Sequence, residues 1–264
     1  MLDDIIIGEY IEKDSIIHNL DPRTKILVIM FFIITIFLIG SFKGYLALAG
    51  LLFVTVLLSK IKPGYIIKSI RPLLFIILFT FFIHLFMTRG GEVLWQWKFL
   101  RIEEEGLTLG SFMALRLIFL VSYTSLLTLT TSPLQLTDGI ERLLNPFKRI
   151  GVPAHELAMM MTIALRFIPT LLEEAKKIMK AQQARGADFQ SGSLIKKAKS
   201  LIPLLVPLFV SAFRRADELA LAMESRCYRG GENRTRMNVL TLVGRDYWAL
   251  GVSFLYLVGV GILF

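Results

Sequence analysis

Residues 157–172 read Leu-Ala-Met-Met-Met-Thr-Ile-Ala-Leu-Arg-Phe-Ile-Pro-Thr-Leu-Leu, and whether this run crosses a membrane decides the architecture. It is apolar, but Arg166 and Pro169 interrupt it. Its companion, Leu-Ile-Pro-Leu-Leu-Val-Pro-Leu-Phe-Val-Ser-Ala-Phe at 201–213, has 13 residues and carries Pro203 and Pro207. Apolar runs of about 10–14 residues belong more often to buried or interfacial helices than to spans, and proline removes a helical donor. Threading both runs through a bilayer would also export the connector that holds Lys176, Lys177, Lys180, Arg185, Lys196, Lys197 and Lys199. That inverts the usual retention of Lys and Arg on the cytoplasmic side. We therefore read 132–245 as a cytoplasmic helical domain lying along the membrane surface, with apolar faces that need cover.

The rest of the chain is plainly membrane-embedded. Of 264 residues, 55% are hydrophobic, and the mean hydropathy is +0.63. Such composition with unbroken apolar runs marks an integral membrane protein. The best spans are 26–40, 44–59, 72–88, 107–131 and 246–264, several near the short end of the roughly 17–25 residues a helix needs. The expected fold is an all-α integral membrane protein with about five transmembrane helices and a cytoplasmic or interfacial helical domain. Its expected parts are four spans in 1–131, the helical domain in 132–245 and a last span in 246–264. The first apolar run follows Asp3, Asp4, Glu9, Glu12, Asp14 and Asp21 rather than a basic stretch, so the amino terminus is expected to stay in the mature protein.

Charge supplies an orientation. Lys13, Arg23 and Lys25 precede the first span and Lys60, Lys62, Lys68 and Arg71 occupy the second polar loop, whereas the loop between them has only Lys43. These counts place the amino terminus in the cytoplasm. Residues 132–245 hold 18 of the 30 Lys and Arg but 10 of the 21 Asp and Glu, which is +8 of the net +9. No aromatic array accompanies this basic region, so nucleic acid is not an expected partner.

Within 132–245, helices are expected at about 134–148, 154–185, 193–207 and 208–228, with breaks at Pro146, at 151–153, at the Gly186–Gly192 turn and at a kink near Pro207. Glu173 with Lys177 and Arg214 with Glu218 stand four apart, as on solvated helical faces. Met159, Met160 and Met161 suit an adaptable contact surface, since methionine repacks readily, although ordinary core would use them equally well.

Several chemistries lack their residues. No Gly precedes a Lys, so the Gly-rich phosphate-cradling loop of an ATPase does not exist here. His155-Glu156 begins like a zinc-protease helix, but Met159 stands where the second His belongs. His18, His84 and His155 lie in three separate segments, so no catalytic triad, metal site or cofactor is expected. Cys227 is the single cysteine and has no disulfide or metal companion; a small, semi-buried side chain is the expected role. Arg116 falls within the fourth span, where a charge is costly and marks a functional candidate, unless Thr124, Thr128 or a carbonyl receives it or it reaches the interface.

Arg185 and Arg226 remain. Each follows a small residue near the end of a long helix, in Ala184-Arg185-Gly186 and Ser225-Arg226-Cys227. Helix capping alone would explain one such arginine, worth about 0.3–1 kcal/mol. Two of them, flanked by small residues that permit close approach, suggest two guanidinium contacts to partner carboxylates. Together with Ser15-Ile16-Ile17-His18-Asn19-Leu20-Asp21-Pro22-Arg23-Thr24-Lys25, with Leu144-Asn145-Pro146 and with Gly151-Val152-Pro153, these triplets make the chain resemble the transmembrane (T) subunit of energy-coupling factor (ECF) transporters, which import vitamins and metal ions.

The resemblance implies that Ala184, Arg185, Gly186, Ser225, Arg226 and Cys227 dock two cytoplasmic ATP-binding cassette ATPase subunits. It further implies a membrane-embedded substrate-binding (S) subunit resting on an apolar surface, best matched by Met159, Met160, Met161, Leu204, Leu205 and Leu208. Cys227 departs mildly from the family's Ala, Gly or Ser and leaves the packing of the second triplet in question. The local reading of the amino-terminal motif is structural, with Asp21 as a helix N-cap and Pro22 at the first helical position. The expected function is thus a non-catalytic scaffold in the cell membrane. A lipid-modifying membrane enzyme gripping a head group with Arg116 and Arg166 and an autonomous carrier are the alternatives.

Overall fold

The computed structural model describes residues 10–97, 100–187, 189, 194–231 and 240–263. The elements are α1 (Pro22–Leu38), α2 (Phe42–Ser59), α3 (Pro63–Ile70), α4 (Leu74–Met87), β1 (Val93–Trp97), β2 (Leu100–Glu103), α5 (Glu104–Thr130), α6 (Pro133–Leu144), α7 (Ala154–Ala184), α8 (Leu194–Ser225) and α9 (Gly244–Leu263), with short 3₁₀ turns at Arg71–Leu73 and Asn145–Ile150. The chain is an all-α membrane protein whose described residues include one antiparallel hairpin, β1–β2, which pairs Val93 with Glu103 and Trp97 with Leu100. That hairpin joins α4 to α5. Two compact units divide the fold, one in the described residues from Ile140 to Met237, the other in those from Gly8 to Gly139 and from Asn238 to Phe264.

In the larger unit α5 is the central post. α4 lies along its first half, α1, α2 and α3 pack on it, and α9 packs on α1. The contact with α4 is close because α5 presents Gly106 and Gly110, four apart; a Cβ on Gly106 would stand 3.0 Å from the Thr88 carbonyl and one on Gly110 3.1 Å from that of Phe81. Small residues at this spacing let membrane helices meet backbone to backbone. A side chain at either position would have to push α4 away. Farther along, Phe32 stacks on Tyr123 at 4.5 Å and Tyr45 on Phe119 at 6.0 Å, and the Tyr123 hydroxyl donates to the Leu48 carbonyl at 3.3 Å. Each aromatic pair adds about 0.5–1.5 kcal/mol beyond area burial, and the hydroxyl satisfies itself without water.

Outside this core the surface is apolar. Leu46, Phe75 and Leu255 are among many large side chains that face outward from α2, α4 and α9. Patches of that extent belong against lipid. Phe42–Ser59, Pro63–Met87, Glu104–Thr130 and Ala154–Ala184 are long and apolar enough to cross a bilayer. The first three contain or overlap the expected spans. α1, at 17 residues, is about 26 Å long, slightly under the roughly 30 Å hydrocarbon core. α7 passes on length and composition with the lowest hydropathy of the four, 1.2.

The amino-terminal motif fastens the ends of three helices. Asp21 caps α1 by accepting from Arg23 N at 2.9 Å, with Pro22 in the first turn, as read from the sequence. The Asp21 N–H donates to Asp246 at 2.8 Å, and the same carboxylate caps α9 through Val243 N at 2.8 Å. Lys25 donates to the carbonyls of His18 (3.0 Å) and Thr130 (2.9 Å), the latter at the end of α5, where carbonyls lack helical partners. His18 donates from Nε2 to the Ile11 carbonyl and accepts from Ser15 at Nδ1, a neutral-ring arrangement, and burial holds its imidazole below the ordinary range. Asp246 was not singled out in the sequence; its partner lies 225 residues away.

The smaller unit is built on α7 and α8. α8 runs unbroken from Leu194 to Ser225, so the expected division at Pro207 does not occur. Pro203 and Pro207 stand four apart on one face, so the donors they lack fall in a single column while the remaining ladder holds the helix.

Candidate functional site

Both candidate arginines occupy the same place in the same backbone motif. At the end of α7, Gly186 N bonds the Gln183 carbonyl at 3.0 Å and Ala187 N bonds that of Gln182 at 3.0 Å. At the end of α8, Cys227 N bonds the Glu224 carbonyl at 2.8 Å and Tyr228 N bonds that of Met223 at 3.0 Å. Each is a Schellman turn, with the arginine as the last half-helical residue and the following residue left-handed. Gly186 has φ +86° and Cys227 has φ +54°. The departure at Cys227 therefore leaves the second turn's hydrogen bonding unaltered.

The six triplet residues are all exposed. Cys227 is thus exposed rather than semi-buried as expected, because the turn that holds it projects from the helix end. A Cβ on Gly186 would meet nothing within 4 Å, so its small size answers to φ and not to packing inside this chain. A left-handed conformation costs a non-glycine residue about 1–2 kcal/mol. Cys227→Gly is accordingly expected to stabilise the smaller unit by about 1 kcal/mol; a lowered melting temperature for that variant would contradict this account.

Two contacts orient α7 against α8. His155, in the first turn of α7, donates from Nδ1 to Glu141 and accepts at Nε2 from the Tyr228 hydroxyl, each at 3.0 Å, since a carboxylate can only accept. Farther along α7, Arg215 of α8 donates to Glu174 at 3.2 Å. Progress along one helix matches retreat along the other, so the pair is antiparallel. Arg226, two residues before Tyr228, thus sits at the start of α7 and Arg185 at its end. Across the 31 residues of α7 this separates them by about 45 Å.

The apolar surface is partly where the sequence put it. Met160 and Met161 are exposed and Met159 is half-buried. Leu205 is exposed, but Leu208 is half-buried and Leu204 is buried. The exposed stripe of α8 is Ile202, Leu205, Val206, Phe209, Val210 and Phe213. Its three- and four-residue spacing was available in the sequence, had the run been read as one helix rather than two.

Arg116 finds a partner other than the expected threonines. Thr124 and Thr128 spend their hydroxyls on carbonyls of their own helix, and the guanidinium lies 5.0 Å from the ring centre of Phe37. Phe37 is in the last turn of α1, so Arg116, midway along α5, is level with the end of α1. A cation over an aromatic face at such a site gains about 0.5–2 kcal/mol.

Fold and site together define a multi-pass α-helical membrane protein whose second unit ends two long helices in matched, exposed arginines. The CbiQ family model, described as "Cobalt transport protein", matches residues 13–237. Similar proteins include one from Clostridium kluyveri, 57% identical over 264 residues, covering 100% of this chain and 97% of the relative. Another, from Acidaminococcus fermentans, is 60% identical over 240 residues, covering 91% and 89%. A third, from Bacillus subtilis, is 50% identical over 247 residues, covering 93% of each. All three are named "Energy-coupling factor transporter transmembrane protein EcfT". The chain belongs to this family, the transmembrane components of energy-coupling factor transporters.

Proposed function

We propose that this chain is the non-catalytic coupling scaffold of an ECF-type importer for vitamins or metal ions. Two cytoplasmic ATPase subunits hydrolyse ATP and dock through carboxylate-lined grooves on the triplets centred on Arg185 and Arg226. An S subunit in the membrane rests on the exposed stripe of α8 and on the methionines of α7. Motion enters at the helix ends and leaves through the apolar face.

The observation that carries this reading is the repeated turn: one exposed arginine, presented identically, at two points about 45 Å apart along a 31-residue helix. One groove cannot receive both. In this reading α7 lies on the cytoplasmic side despite its apolar length, because burying it would carry Arg166 into lipid and export the lysines that follow. The amino terminus is cytoplasmic for the same reason. Capture of the tagged full chain from its native membrane tests the assignment. Two ATPase subunits and a small hydrophobic protein are expected to accompany it; a chain that purifies alone and carries out flux unaided in liposomes would overturn the scaffold role.

A further inference from the structure

Within the larger unit, α1, α2, α5 and α9 line an open-sided cavity of about 410 Å³. Its walls include Val28, Phe32, Leu51, Leu126 and Val252, and almost none of its surface is polar. A space without polar partners does not hold ordered water. Its volume falls in the range of pockets that enclose small ligands, about 300–1,000 Å³, and what can fill it is hydrocarbon.

The rim is of different character. Arg245 and Trp248, in the first turns of α9, border the cavity and are exposed, Trp248 to 77%. Tryptophan favours the head-group level of a bilayer. Lys25 also reaches the cavity, but its ammonium is occupied by the carbonyls of His18 and Thr130. The carboxylate next to Arg245, that of Asp246, accepts from the backbone of Asp21 and Val243. Among the described residues Arg245 makes no ion pair, so a positive charge stands unmatched over an apolar opening.

We infer that this cavity binds one anionic phospholipid, with an acyl chain between α1, α2, α5 and α9 and the phosphate on Arg245. The site lies at the end of the unit where α1 and α9 begin and α5 finishes, the cytoplasmic leaflet in the orientation proposed above. It does not depend on the docking of ATPases. Charge complementarity selects the lipid class, and the cavity distinguishes a held lipid from those that merely surround the protein.

Native mass spectrometry of the full chain in detergent, with phosphatidylglycerol or phosphatidylcholine of the same acyl chains added, tests the site. One phosphatidylglycerol is expected to stay bound, several-fold in preference to phosphatidylcholine. Arg245→Gln should lower retention of the anionic lipid about fivefold, the effect of one interfacial arginine, and leave the neutral lipid unchanged. Ala249→Phe, which adds a ring inside the cavity, should remove both; Val258→Phe on the same helix, outside it, should remove neither. Equal retention of the two lipids by the unaltered chain, or undiminished binding by Ala249→Phe, overturns the proposal. Should Ala249→Phe misfold, Arg245→Gln decides, since an exposed side chain is dispensable for folding.

Discussion

Arg185→Glu combined with Arg226→Glu is expected to abolish capture of the ATPase subunits and coupled transport while the chain accumulates in the membrane as before. Truncating one partner of a desolvated, hydrogen-bonded charge pair costs about 2–5 kcal/mol, or roughly thirty-fold to several thousand-fold in affinity, and a glutamate adds repulsion from the acidic groove. The fold should not notice. Both side chains are exposed, and the turns that carry them are closed by backbone bonds among Gln182, Gln183 and Ala187 and among Met223, Glu224 and Tyr228. Only the favourable cation at each helix terminus is lost, about 0.3–1 kcal/mol. Alanine at both positions should be milder, because it removes attraction without opposing it. Membrane yield, pull-down and uptake, measured side by side, check the result. Wild-type uptake by the double reversal would end the docking assignment.

Phe209→Asp should have the complementary effect: capture of the S subunit falls at least about thirty-fold while the ATPases still co-purify. Phe209 is 59% exposed at the middle of the α8 stripe, between Val206 and Val210. Central aromatic anchors are typically worth 2 kcal/mol or more, and a carboxylate facing an apolar partner must be desolvated without compensation. Because the residue faces outward, its replacement creates no cavity inside the unit. The two experiments separate the two surfaces. If Phe209→Asp loses ATPases and S subunit together, α8 is damaged as a whole; if it loses neither, the stripe faces lipid alone.

Much of this was legible before any coordinates. Apolar length marks a span regardless of where it packs, and α2, α4 and α5 accordingly lie where the runs at 44–59, 72–88 and 107–131 put them. Asp21 and Pro22 announce a helix start through chemistry confined to three residues. The failures share a different cause. Asp246 matters because it receives Asp21 from the far end of the chain, and nothing near residue 246 signals that. Pro207 breaks a helix by local rule, yet here it shares a face with Pro203 and the helix continues. That single misreading also shifted the expected surface, since treating 193–207 and 208–228 as separate helices hid the register joining Leu205, Phe209 and Phe213. Gly106 and Gly110 were readable as a close-contact pair but had no partner until α4 was placed. The arginine triplets were found by repetition, and the shared left-handed residue explains why a glycine suits one of them.

The matched turns bear on how unlike engines could be told apart. A latch repeated with identical hydrogen bonding cannot itself encode which ATPase belongs at which end. In the proposed docking, the residues just past each latch offer a distinction, for they differ: Ala187 follows Gly186, whereas Tyr228 and Arg229 follow Cys227. Tyr228 is moreover held by His155, which fixes an aromatic ring beside the second turn. Under the proposed docking, identical ATPases need only the latch, whereas unlike ones have Tyr228 and Arg229 as a further difference to read.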